Sequence, residues 1–211
     1  MRTLVIETAT PALSVALFED EALLAARHEA IGRGHAERLV PAVADLPDRG
    51  RAARILVSLG PGSFTGTRIG IAAARALGMA WGSEVLGYGT LALVAAGARR
   101  KAAVPVLVAM TGGHGEWFVQ PFSADGAPLQ QHQAMRPADA GKCSDIELVA
   151  GSEAEALVSQ RGFGRAEPLL PDARDALRLP LSSLSSRMAP IYGRPPDAIV
   201  APSRMNHGAG G

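Results

Sequence analysis

Near the N-terminus the apolar positions come in short runs broken by turn residues. Thr3-Leu4-Val5-Ile6 passes through Thr10-Pro11-Ala12 into Leu13-Ser14-Val15-Ala16-Leu17-Phe18, and Glu19-Asp20-Glu21 turns the chain into residues 22–28. This pattern predicts a three-stranded meander, with the third strand weakest in β propensity. Beyond Gly32-Arg33-Gly34, the apolar residues Leu39, Val40, Val43 and Leu46 recur at helical spacing, which predicts an amphipathic helix over residues 35–46. Pro41 falls in its first turns or kinks it, and Pro47-Asp48-Arg49-Gly50 ends it. Ile55-Leu56-Val57-Ser58-Leu59 is a continuous apolar run and predicts a buried strand.

The stretch that follows organises the rest: Gly60-Pro61-Gly62-Ser63-Phe64-Thr65-Gly66-Thr67-Arg68-Ile69-Gly70. Residues 69–81 are rich in Ala, Leu and Arg without proline, so they read as helix. A strand, a tight turn and a helix in succession expose helix N–H groups and the positive dipole end to an anion. Ser63 or Thr65 caps the first turn. No lysine follows Gly66, so this is not a Walker A loop, and Ser63 lacks the flanking glycines of a nucleophile elbow. The junction permits phosphate binding without demanding it. Gly66, Gly70, Ala74, Gly78 and Gly82 recur every four positions and share one stripe. A glycine costs roughly 1 kcal/mol per helical position against alanine, so the stripe signals close approach of another backbone, from this chain or from a partner.

Residues 85–88 predict a short strand, and residues 91–98 an Ala-rich helix whose Arg99-Arg100-Lys101 end is expected to be solvated. In the second half, residues 104–109 read as a buried strand. Thr111-Gly112-Gly113-His114-Gly115 reads as a loop, and residues 116–122 as the next strand, turned at Ala124-Asp125-Gly126. Leu148-Val149-Ala150-Gly151 predicts a strand, with Ser152 capping a helix over 153–160. Leu169-Leu170 is expected at a strand end, and Asp172 to cap a helix reaching Leu179. The proline-rich Arg194-Pro195-Pro196 and residues 206–211 read as loose. No internal sequence repeat is evident.

Composition narrows the function classes. With 47% apolar residues the chain can build a packed core, and at 4% aromatics that core must come from Ala, Val, Leu and Ile. Twenty-one basic against twenty acidic residues, a net charge of +1, leaves no global footprint for autonomous nucleic-acid binding, although totals hide local patches. The lone Cys143 excludes an intrachain disulfide and a Cys-rich zinc site, and fits a reducing compartment. No apolar run approaches a membrane span, and Glu7 interrupts any signal-like core, so a soluble, cytoplasmic protein is expected.

Residues 60–70 resemble the signature of the bacterial TsaB family, also called YeaZ. Three further stretches agree in order: Ile6-Glu7-Thr8-Ala9-Thr10 with Ser14-Val15-Ala16-Leu17, then His35-Ala36-Glu37-Arg38-Leu39-Val40-Pro41, then Pro190-Ile191-Tyr192-Gly193-Arg194. The resemblance implies an α/β, actin-like/sugar-kinase-like (ASKHA) fold of two small lobes, each a mixed sheet with helices, divided here as residues 1–98 and 99–211. It implies a non-catalytic scaffold in threonylcarbamoyl transfer to the adenosine next to the tRNA anticodon. Its expected partners are a TsaD-like catalytic paralogue and a TsaE-like ATPase, with homodimerisation an alternative pairing and tRNA met only through the complex. No cofactor of its own is expected, with ATP at the complex interface.

The candidate residues follow from both lines of reading. His35, Leu39, Val43, Leu46, Gly66, Gly70, Ala74 and Gly78 are expected to form the partner-binding face, as an apolar stripe and a small-residue stripe on two helices. Thr8, Thr10, Gly62, Ser63 and Thr65 are the candidate phosphate or nucleotide contacts. Glu7 stands where catalytic relatives of the superfamily carry a metal-holding Asp. The histidines lack the spacing of a ligand set, so no metal site and no catalytic residue is assigned. His114-Gly115-Glu116 could offer an acid/base pair but reads as a hairpin rim. The competing class is a stand-alone peptidase-like or ATP-dependent enzyme of the same superfamily.

Overall fold

A computed structural model of the chain describes residues 1–193; Arg194 to Pro196 and the expected loose tail at 206–211 lie outside the described residues. The first sheet begins with the meander β1 (Arg2–Glu7), β2 (Ala12–Glu19) and β3 (Ala22–Ala30). Two strands parallel to β1 complete it, β4 (Arg54–Ser58) and β5 (Glu84–Tyr88), in the order β3-β2-β1-β4-β5. Alternation along β1 assigns its faces, as period-2 side-chain geometry requires. Leu4 and Ile6 pack with Leu39, Val43, Ile55 and Val57 under the helices α1 (His35–Ala44) and α2 (Phe64–Trp81). Val5 packs on the opposite side with Phe18, Leu56, Tyr88 and Leu93. Covering both faces is why these strands read as apolar runs.

The second sheet repeats the plan. β6 (Val106–Thr111), β7 (Trp117–Phe122) and β8 (Gln133–Met135) form the meander, and β9 (Leu148–Ala150) and β10 (Arg165–Glu167) the parallel extension, in the order β10-β9-β6-β7-β8. Read from either sheet's third strand the connectivity is identical, so the two lobes are an internal structural repeat without a visible sequence repeat. This is the α/β, two-lobed actin-like plan expected from the resemblance. A short helix, α4 (Pro137–Ala140), follows β8, and α5 (Ala154–Arg161) links β9 to β10.

Helix α3 (Thr90–Ala98) joins the lobes. Its Leu91, Val94, Ala95 and Ala98 belong to the core with Val106, Val108 and Phe122, while Leu93 and Ala96 face the first sheet. A helix buried on both sides is apolar all round, which accounts for its Ala/Leu/Val composition. The chain then returns to the first lobe. Residues Ala173–Arg178 form a 3-10 turn capped by Asp172, whose carboxylate accepts from Arg174 N–H, and Ala173 N–H donates to Ser14 Oγ at 2.9 Å. Ser185 exchanges backbone hydrogen bonds with Gly87, and Ile191 N–H donates to Leu59 O.

Some local expectations need correcting. Ser152 does not cap α5; its hydroxyl accepts from Thr111 N–H instead, and Glu153 takes the cap position without a side-chain bond. The helix end at 99–101 is only partly solvated. Arg100 donates to Asp175 through Nε and a terminal nitrogen, each at 2.6 Å, and Arg99 donates to Ala124 O. Leu169-Leu170 belongs to no strand, since β10 ends at Glu167. β8, α4 and β10 carry no periodic signal of their own.

Candidate functional site

β1 ends at Glu7, which is fully buried, and the turn behind it packs directly on the start of α2. Ser63 caps α2: its Oγ accepts from Gly66 N–H at 3.1 Å, while its own N–H donates to Ala9 O at 2.7 Å. A Cβ on Gly62 would lie closer than 3.0 Å to the Ala9 carbonyl, and one on Gly66 closer than 3.0 Å to the Thr8 carbonyl. The glycines are therefore required by the β1–β2 turn of the same chain, whose carbonyls sit where a phosphate would approach the helix end. The hydroxyls are engaged too. Thr8 Oγ1 donates to Gly66 O at 2.8 Å, and Thr10 Oγ1 accepts from Ala12 N–H at 3.2 Å. Thr65 is exposed in the first turn of α2 and is not the cap. Of the candidate phosphate contacts, only Thr10, Gly62 and Ser63 border the cleft between the lobes.

That cleft is faced from the second lobe by Thr111, Phe118 and Ser152, and has a volume of about 190 Å³. Small-molecule sites commonly need roughly 300–1,000 Å³, so an enclosed nucleotide does not fit here. Thr111 Oγ1 lies 2.9 Å from Ser152 Oγ and donates to Glu153 Oε1 at 2.5 Å. Thr111 ends β6 as Glu7 ends β1, and Gly151-Ser152 follows β9 as the glycine junction follows β4. The structural repeat is the signal that would have found Thr111 and Ser152.

Glu7 is turned inward. Its Oε1 accepts from Ala9 N–H at 2.7 Å, and its Oε2 has no hydrogen-bond partner. Burial pushes its carboxyl up to about 7, against the Ala9 N–H bond and the weaker opposing influence of the nearby Ser58, Thr8 and Tyr88. The neighbouring polar groups pair among themselves: Ser58 Oγ and Thr90 Oγ1 lie 2.6 Å apart, and Tyr88 donates to Ile6 O. Among the described residues no group of three or more His, Cys, Asp or Glu side chains is placed to hold a metal. His114, at φ 59, sits in the β6–β7 hairpin closed by Gly112 N–H to Glu116 O.

The residues expected to form a partner face point the other way. Leu39, Val43, Leu46 and Ala74 lie in the first lobe's own core, and His35 is buried with Nε2 3.3 Å from Ala12 O. A Cβ on Gly70 would collide with Thr8 Oγ1, and one on Gly78 with Val85. The small-residue stripe of Gly66, Gly70, Ala74 and Gly78 thus seats α2 on its home sheet. What the two helices expose is their outer side: Val40 on α1, 61% exposed, and Ala72, Ala76, Met79 and Ala80 on α2, with Met79 86% exposed.

Comparison with known proteins agrees with this architecture. The family described as "TsaD: tRNA N6-adenosine threonylcarbamoyltransferase" matches residues 28–162. The tRNA threonylcarbamoyladenosine biosynthesis protein TsaB of Escherichia coli K12 is 40% identical over 131 residues, 59% of this chain and 56% of that protein. Its namesake in Bacillus subtilis is 33% identical over 90 residues, 40% of this chain and 38% of that protein. YeaZ from Pseudomonas aeruginosa superposes with a TM-score of 0.75 at 26% identity, covering 90% of this chain and 99% of that one. The chain belongs to this family, in its TsaB (YeaZ) branch. Its sequence match spans about half the length of the curated TsaB relatives or less. A second TsaB-like solved structure, described by its similarity to "peptidase YEAZ", aligns at TM-score 0.77 and 27% identity. Among the described residues no helix is long and apolar enough to cross a membrane.

Proposed function

We propose that this chain is a scaffold subunit in the threonylcarbamoylation of tRNA, working in the cytoplasm and contributing no catalytic group. One observation carries the reading: the Ala9 carbonyl, held by Ser63 N–H at 2.7 Å, lies against the helix end to which an anion would have to bind. The chain then takes no nucleotide of its own, and any ATP belongs to the surface it shares with a partner. That partner is a TsaD-like catalytic paralogue, with a TsaE-like ATPase joining the assembly and tRNA arriving through it. The docking face is the outer side of α1 and α2, centred on Val40 and Met79, where apolar side chains stand in water without a partner. A paralogue built on the same lobe plan presents an equivalent helix pair, and four helices close a bundle. A second copy of this chain can take the same place when the paralogue is absent.

Reconstitution tests the proposal. Purified chain is incubated with ATP, threonylcarbamoyl-adenylate and tRNA, with and without the paralogue. Modified adenosine is expected only when both proteins are present. Modification by this chain alone would replace the scaffold reading with an enzymatic one.

A further inference from the structure

The last described residues run as a strap along the flank of α2. Arg75 donates to Met188 O at 3.0 Å, and Arg68 donates to the Tyr192 hydroxyl at 2.9 Å. Phe64 and Tyr192 stack with ring centroids 5.7 Å apart, and the Arg68 guanidinium lies 3.6 Å over the Phe64 ring. Both rings stay open to solvent, Phe64 at 56% and Tyr192 at 41%. His132 Nε2 lies 3.3 Å from Tyr192 O, so the second lobe borders the same surface. The charge here is one-sided. Neither residues 60–83 nor residues 176–193 contain an Asp or Glu, and Arg68, Arg75 and Arg187 have no carboxylate partner among the described residues. Arg2, Arg27, Arg38, Arg54, Arg100, Arg174 and Arg178 are paired with carboxylates, whereas the two segments that build this flank carry no acid at all, a local patch that a net charge of +1 conceals.

We infer that the α2–strap surface binds a single-stranded RNA loop. Three guanidiniums without a carboxylate supply the complement to a phosphate backbone, and two exposed rings supply the stacking platform that unpaired bases use and a closed duplex does not. A purely phosphate-binding patch would have no use for exposed rings. An acidic protein surface would satisfy the arginines but would leave Phe64 and Tyr192 in water. This flank adjoins the docking face: Ala72 lines the same groove as Arg68, Arg75 and Met188, and Met79 lies one turn beyond Arg75 on the same side of α2. The choice of a hairpin loop as occupant rests on the role proposed above; the demand for an anion that stacks does not.

The test uses the full chain at low salt and a fluorescein-labelled RNA hairpin, with a blunt RNA duplex and a polyglutamate peptide as competitors. Phe64→Ala and Arg187→Gln are the informative variants, since both side chains are exposed and outside the core. The hairpin is expected to bind more tightly than the duplex. Phe64→Ala should weaken it by about tenfold, the cost of one lost base stack. Arg187→Gln should flatten the salt dependence by about 0.7 in log–log slope, one single-strand phosphate contact. Equal binding of hairpin and duplex with no effect of Phe64→Ala would overturn the inference, as would tighter binding of polyglutamate or no RNA binding at all. Because the assay involves neither the paralogue nor chemistry, it fails separately from the scaffold role. A chain that binds the hairpin yet supports no tRNA modification keeps this surface and loses that role.

Discussion

At the scale of single residues, Glu7 is a carboxyl buried at the end of β1. A carboxylate with one oxygen tied to Ala9 N–H and the other unpartnered, at 0% exposure, is an expensive anion. The fold answers by favouring the protonated form, which moves the carboxyl from 4.5 to about 7. The same charge, after burial itself, helps push the Tyr88 phenol upward. Linkage then has a definite sign. A raised carboxyl binds its proton more tightly folded than unfolded, so the stability that Glu7 contributes is full below pH 4.5, falls between pH 4.5 and 7, and is gone above. With one pKa unit worth about 1.4 kcal/mol, the fall from pH 5 to pH 8 is about 2–3 kcal/mol. Glu7→Gln removes the titration, so urea unfolding of that variant should lack this decline and the variant should be the more stable protein at pH 8. Parallel curves for the two proteins across that range would mean that Glu7 is charged and hydrated in the native state.

At the scale of elements, what was legible in the sequence depended on whether the signal was local. Continuous apolar runs announced β1, β2, β4 and β6, and Ser63 announced the start of α2 through its cap. The period-four row of small residues announced a close backbone approach but not whose, because a missing side chain carries no label for its neighbour. The structure assigns that approach to the home sheet, through Thr8 and Val85. β8 and β10, three residues each, are too short for alternation to register. Arg100 read as a solvated helix end because its partner, Asp175, lies seventy-five positions away. The two sides of α2 therefore make opposite predictions. Gly70→Ala forces a Cβ into Thr8 Oγ1 and should lower stability by about 1–3 kcal/mol, as overpacking does. Val40→Glu and Met79→Glu should melt like the parent. Each removes a side chain whose burial is worth about 1.5–3 kcal/mol, so copurification with the paralogue should weaken more than tenfold. Unimpaired copurification of both glutamate variants would take the docking face off these helices.

At the scale of the molecule, the chain is closed by its own C-terminal segment, which crosses back to the first sheet and is fastened by ion pairs. Asp172 is subject to burial, which raises its carboxyl, yet the bonds from Arg174 and the charge of His28 outweigh it and hold the group below its ordinary value. Asp175 receives both nitrogens of Arg100 from the end of α3, the helix that belongs to both lobes. The two ends of this pair are not equivalent. Arg100 is 47% exposed and Asp175 4%. Without Asp175, the Arg100 side chain can turn into water. Without Arg100, Asp175 keeps only Arg178 at 3.8 Å and is left as a nearly unpaired buried charge. Breaking a buried pair by removing the partner of the trapped charge costs about 3–5 kcal/mol, whereas a solvated remnant costs nearer 1 kcal/mol. Arg100→Ala should therefore destabilise far more than Asp175→Asn, and the double variant should return close to Asp175→Asn alone, since nothing buried is then unpaired. Denaturant unfolding measures all three, and trypsin cleavage at Arg187 reports release of the strap, expected to be fastest in Arg100→Ala. Equal losses for the two single variants, with the double at their sum, would show the pair to be an ordinary surface bridge that does not fasten the returning segment.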